Sequence, residues 1–139
     1  MIAALLLAAL ATQNCPVASA PAALNQAMGQ SLTFVRSGNA KGLLDQMSRG
    51  GVTFGTQAVP YAALADQLTN RRGRYCDLFM CDGKPGVLNL RFSGGKIQRA
   101  IDWANRRATV VLNGKTPREL DLGYVYTAQC QWELSAIKD

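Results

Sequence analysis

Apolar residues change their rhythm at Gly73, and that change constrains the fold more than any other feature of the chain. Before it they recur at helical intervals. Ala22 to Val35 places Leu24, Ala27, Met28, Leu32 and Val35 on one helical face, and Ser37-Gly38-Asn39 breaks the pattern. Ala40 to Ser48 gives a short second helix with Leu43, Leu44 and Met47 on one side, closed by Arg49-Gly50-Gly51. Val52-Thr53-Phe54 reads as a short strand. Val59-Pro60-Tyr61 opens a third helix, with proline near its first position and Leu64, Ala65 and Leu68 inward. After Gly73 the period drops toward two. Arg74 to Met80 is strand-like, and Asp82 to Gly86 is a turn. Val87 to Phe92 sets Leu88, Leu90 and Phe92 against Asn89 and Arg91. Gly94-Gly95 signals a hairpin, and Lys96–Trp103, Ala108–Leu112, Leu122–Ala128 and Gln131–Ile137 complete the strands. Helices first and strands second predict an α+β fold, with N-terminal helices packed on one face of a curved antiparallel sheet.

Met1 to Ala11 (MIAALLLAALA) is an unbroken apolar run followed by small residues, the pattern of a secretory signal, although only the amino terminus supplies its positive charge. The run is too short to span a bilayer comfortably. Residues 1–20 therefore read as a signal and the start of the mature chain. Ala9-Leu10-Ala11 and Ala18-Ser19-Ala20 are rival small-x-small cleavage sites, and the second puts Pro21 just after the cut. Ala18 to Ala23 is tether-like, and residues 22–139 form one domain. Roughly 120 residues remain after cleavage, enough to bury a core without a metal. Export places the protein in the periplasm or outside the cell.

That compartment makes the 4 cysteines candidate disulfides. Cys15, Cys76, Cys81 and Cys130 contain no CxxC pair. In an extended strand Cys76 and Cys81 face opposite sides and stand ~16 Å apart, beyond the ~7 Å that a disulfide tolerates between Cα atoms. One of them is expected to pair with Cys130 across neighbouring strands, unless a turn brings the two together. A cut after Ala11 keeps Cys15; a cut after Ala20 leaves an odd thiol.

Net charge is +6, from 15 Lys and Arg against 9 Asp and Glu, and there is no histidine. No metal or cofactor site is expected, since histidine is the commonest metal ligand and general base. Asn113-Gly114-Lys115-Thr116 carries the end of a phosphate loop, but Thr109 stands where its first glycine belongs, so a hairpin turn is the better reading. Ser93-Gly94-Gly95-Lys96 matches SxxK, yet that chemistry needs a helical turn between Ser and Lys and two glycines between strands give a hairpin. Arg71, Arg72, Arg74, Arg106, Arg107, Lys115 and Arg118 lie at helix ends and in loops, where solvated charge outweighs a nucleic-acid partner. The weak catalytic candidates are Asp77 and Asp102. A carboxylate inside a half-buried strand acquires a raised pKa and can act as a base; pairing with arginine or exposure removes that capacity. Tyr61, Tyr75, Phe79, Phe92, Trp103 and Trp132 are candidates to line an apolar ligand pocket, against the alternative that they are core.

The order helix, helix, short strand, helix and then hairpins is similar to the NTF2-like (cystatin-like cone) superfamily. So are Leu43-Leu44-Asp45 before Val52-Thr53-Phe54, Ser93-Gly94-Gly95-Lys96-Ile97, and Trp132-Glu133-Leu134-Ser135-Ala136-Ile137. The resemblance covers residues 22 to 139 and implies a cone with a pocket. Members of the superfamily include steroid isomerases, dehydratases, cyclases and non-catalytic binding modules. In its enzymes an Asp acts as base, usually with His or Tyr partners; here the tyrosines are Tyr61, Tyr75, Tyr124 and Tyr126. The expectation is an exported domain that binds a small molecule or an envelope protein without catalysis. The alternatives are a lyase or isomerase using Asp77 or Asp102, and an envelope interaction or inhibitor protein with a basic surface. A homodimer is a further candidate assembly.

Overall fold

A computed structural model describes residues 15–81 and 96–138. A 3-10 turn at Val17–Ser19 leads into helix α1, Ala20–Ser37, so the stretch expected to be a tether is folded. Leu24, Met28 and Val35 face inward at the expected spacing. Gly38, at φ 68°, takes the left-handed conformation that ends α1. Asn39 then caps α2, Ala40–Asp45, its side chain accepting from the Gly42 amide at 2.9 Å. Strands β1 (Val52–Phe54) and β2 (Gln57–Val59) form a tight hairpin, followed by α3, Tyr61–Thr69.

Arg74–Phe79 is a helix, α4, and not the expected strand. Six residues fit either period, because Tyr75, Cys76, Leu78 and Phe79 are all apolar. The preceding helix decides: Gln67 Oε1 accepts from the Tyr75 amide at 2.9 Å, which satisfies one of the free donors that open a helix. Tyr75, Cys76, Phe79 and Met80 are buried and Asp77 points out, a helical and not an alternating distribution. The expected strand at Val87–Phe92, with Leu88, Leu90 and Phe92, lies outside the described residues, as do Met1–Ala11 and Ser93–Gly95.

β3 (Ile97–Asp102), β4 (Arg107–Leu112), β5 (Leu120–Tyr126) and β6 (Trp132–Lys138) follow. Among the described residues the sheet order is β2-β1-β6-β5-β4-β3. The sheet is mixed, which corrects the expectation of an antiparallel one: β1 and β6 run parallel, with Thr53 opposite Ala136, and the other pairs are antiparallel. One sheet face carries Val110, Leu112, Leu122, Tyr124, Trp132 and Leu134, all buried, and packs on Leu24, Met28, Leu43, Leu44, Leu64 and Leu68 of the helices. Ile97 and Ile101 are only partly buried at the β3 edge. A bulge between Gly123 and Tyr124 absorbs Ser135, whose hydroxyl donates to the Gly123 carbonyl at 3.2 Å. The strand phase therefore shifts, and Ile137 instead of Ala136 reaches the core.

The disulfides are Cys15–Cys130 and Cys76–Cys81, which corrects the pairing of Cys130 with Cys76 or Cys81. The correction follows from α4. A helical turn and its exit bring the Cα atoms of Cys76 and Cys81 within 5.1 Å, and the Cys81 amide donates to the Cys76 carbonyl at 2.9 Å. Cys130, at φ 62° in the β5–β6 turn, is left to Cys15, with Cα atoms 5.3 Å apart.

Candidate functional site

A groove of about 370 Å³ opens between α1, α2 and the start of β6. The exposed stripe of α1 supplies Gln26 and Gln30, one turn apart, with Ala23, Ala27 and Phe34 beside them. Gly42 and Asp45 come from α2, Gln46 from its end, and Cys130 to Glu133 from the turn into β6. Gly42 is required for this packing. A Cβ there would stand 2.7 Å from the Phe34 ring, so glycine lets α2 lie against that side chain.

The floor is fixed by a polar chain that runs from the core to the surface. Tyr124 is buried, and its hydroxyl interacts with Ser31. The Ser31 hydroxyl donates to Gln46 Oε1. Gln46 Nε2 donates to the Ala27 carbonyl at 3.3 Å and to Gln30 Oε1 at 3.2 Å. Burial drives the Tyr124 hydroxyl well above the usual phenol range, against a smaller lowering by Ser31, so it stays protonated. Ser31→Ala should cost about 1–3 kcal/mol, because it strips partners from two polar groups that water does not reach freely. Urea denaturation measures this; a cost near zero would mean that the chain does not hold the floor.

Glu133 is half-buried beside the groove, and among the described residues its carboxylate makes no hydrogen bond or close ion pair. Desolvation raises its pKa above the ordinary 4.5, and Arg49 opposes the shift. Arg49 also lies over the Tyr61 ring at 4.5 Å and reaches the exposed Asp45 at 3.7 Å. Asp121 is a second carboxylate raised by burial, with Glu119 adding to the shift and Lys138 opposing it. Its Oδ1 is buried without a partner among the described residues. Folding therefore shifts both groups toward the protonated form relative to the unfolded chain. Their contribution is thus complete below the unfolded values, 3.8 for Asp121 and 4.5 for Glu133, and is lost as pH rises through the higher folded values. Glu133→Gln should therefore raise the melting temperature at pH 7 relative to wild type and leave it unchanged near pH 3. Calorimetry across that range is the check; an equal shift at both ends would remove titration as the cause.

The expected site residues are dispersed. Asp77 is exposed on α4. Asp102 is exposed at the end of β3, where it accepts from the Asn105 backbone amide at 3.4 Å and from Asn105 Nδ2 at 2.7 Å, holding the turn into β4. Neither lines the groove. Tyr75 and Phe79 pack on Phe54, with ring centroids 4.4 and 6.4 Å away. Tyr61 is partly buried and donates to the Leu44 carbonyl at 3.3 Å. Trp103, Tyr126 and Trp132 stack in series at 5.2 and 4.7 Å. Of the six aromatic candidates Trp132 alone is shown at the groove, and Phe92 lies outside the described residues. Gln26, Gln30, Gln46 and Glu133 were not legible as a site, because amides on a polar helical stripe look like solvated surface. The one available signal was the i, i+4 spacing of Gln26 and Gln30. Among the described residues no cluster of three metal-ligating side chains exists.

No protein-family model, curated protein or solved structure matches this chain.

Proposed function

We propose that this is an exported NTF2-like domain that binds a ligand without catalysis, in the groove between α1, α2 and β6. The groove itself carries the reading. It sets a half-buried carboxylate and amide side chains beside the apolar surfaces of Phe34 and Trp132, within a protein of net charge +6. Such a lining suits a ligand with a cationic or hydrogen-bond-donating head and an apolar body, a small molecule or a side chain of a protein partner. Glu133 would accept from the cation, and Gln26, Gln30 and Gln131 would bond the neighbouring polar groups.

The order of helices and strands and the helical cover on one sheet face support the NTF2-like reading. Two disulfides and the apolar N-terminal run support export. No described helix is long and apolar enough to cross a membrane. The lyase or isomerase reading needs Asp77 or Asp102 in a cavity, and both are exposed.

Titration with n-hexylamine and, separately, hexanoate, followed by amide and indole NMR signals, tests the site. The amine should shift Gln26, Gln30 and Trp132, hexanoate should not, and Glu133→Gln should abolish the response to the amine. No response to the amine, or equal responses to both probes, would sink the proposal.

A further inference from the structure

We infer that the export signal is removed between Ala11 and Thr12, so that Cys15 to Ala20 stay with the mature domain as a structural part of it. The inference rests on the export reading and decides between two sites that the sequence leaves open. Both candidates, Ala9-Leu10-Ala11 and Ala18-Ser19-Ala20, present the small residues that a signal-type peptidase requires. Hydrolysis at the first adds the oxygen of water to the Ala11 carbonyl carbon and leaves Thr12 as the new amino terminus.

The fold tells them apart by what each product would lack. Cys15 is buried and bonded to Cys130. Ala20 is 1% exposed, and its carbonyl accepts from the Trp132 indole Nε1 at 2.9 Å. Val17–Ser19 forms the turn that leads into α1. A cut after Ala20 deletes the partner of Cys130, removes the acceptor of a buried indole and leaves Pro21 as the first residue. Cys130 and Trp132 both border the groove, so the same cut would loosen one of its walls. A cut after Ala11 keeps every one of these contacts, with all 4 cysteines in pairs.

The test is to express the full chain with its own N-terminus in a bacterial host and recover the exported protein for intact mass and N-terminal sequencing. Thr12 at the start, with no free thiol under denaturing non-reducing conditions, is expected. Pro21 at the start overturns this inference and leaves export standing. Retention of Met1 in the cytoplasmic fraction overturns the export reading itself. Two variants sharpen the result. Ala11→Leu should abolish the Thr12 terminus. Ala18→Leu changes an exposed residue and disables only the second site, so it should leave the Thr12 terminus in full yield. Loss of processing with Ala18→Leu, or its persistence with Ala11→Leu, would assign the cut to the other site.

Discussion

Loss of the Cys15–Cys130 bond should be the most damaging single lesion in this domain, at about 5 kcal/mol. The bond joins residues 115 positions apart, whereas Cys76–Cys81 joins residues 5 apart. In the chain-entropy account the stabilisation grows with the logarithm of the closed loop, which gives about 2 kcal/mol for the short one. The comparison is therefore worth more than either value alone. Alanine at both cysteines of each pair, with unfolding followed in urea, should separate the two variants by about 3 kcal/mol. Equal costs would show that the bonds act through native packing and not through the unfolded chain. The long bond also fastens the segment before α1 to the β5–β6 turn, so its loss should free the Trp132 indole from the Ala20 carbonyl. Faster hydrogen exchange at the indole would report that local release separately from global stability.

The helical faces of the first half were legible because each presents long apolar side chains at strict spacing. Leu24 and Met28, Leu43 and Leu44, and Leu64 and Leu68 are buried as their periods require. The strands β3 to β6 were legible for the same reason, within a residue or two. β2 was not, since Gln57 and Ala58 lack the β-branched and aromatic side chains that mark β1 at Val52-Thr53-Phe54. The phase shift at Ser135 was hidden because Ala136 continues the alternation of Trp132 and Leu134, and nothing in the sequence shows Ile137 taking its place. The cysteine pairing depended on α4: an extended segment separates Cys76 from Cys81, and a helical one joins them. The same misreading placed Asp77 on a buried strand when it stands on the exposed side of a helix. The groove was the least legible feature. Its amide residues come from α1, from the end of α2 and from the turn into β6, and nothing in a linear sequence says that these segments meet.

Truncating Phe79 to alanine should cost about 3–5 kcal/mol, the usual range for a large aromatic removed from a packed core. Phe79 has no exposed surface, and its ring meets Phe54 edge-on at 6.4 Å. Phe54 in turn contacts Tyr75 at 4.4 Å, so α4 presses both of its aromatic residues onto the β1 strand. The side chain lost lies where α4, β1 and the core meet, and the residues around it sit on fixed backbone and cannot collapse fully into the void. Asp77 supplies the matched control. In a strand, Tyr75, Asp77 and Phe79 would share one face, and an alanine at Asp77 would change a buried environment. In the helix Asp77 points away from both aromatics, so Asp77→Ala should stay within about 0.5 kcal/mol of wild type. Urea unfolding of the two variants under non-reducing conditions reads both effects at once. A large cost at Phe79 with a negligible one at Asp77 is the helical outcome. Comparable costs at the two positions would return this segment to an extended conformation and, with it, reopen Asp77 as a buried base.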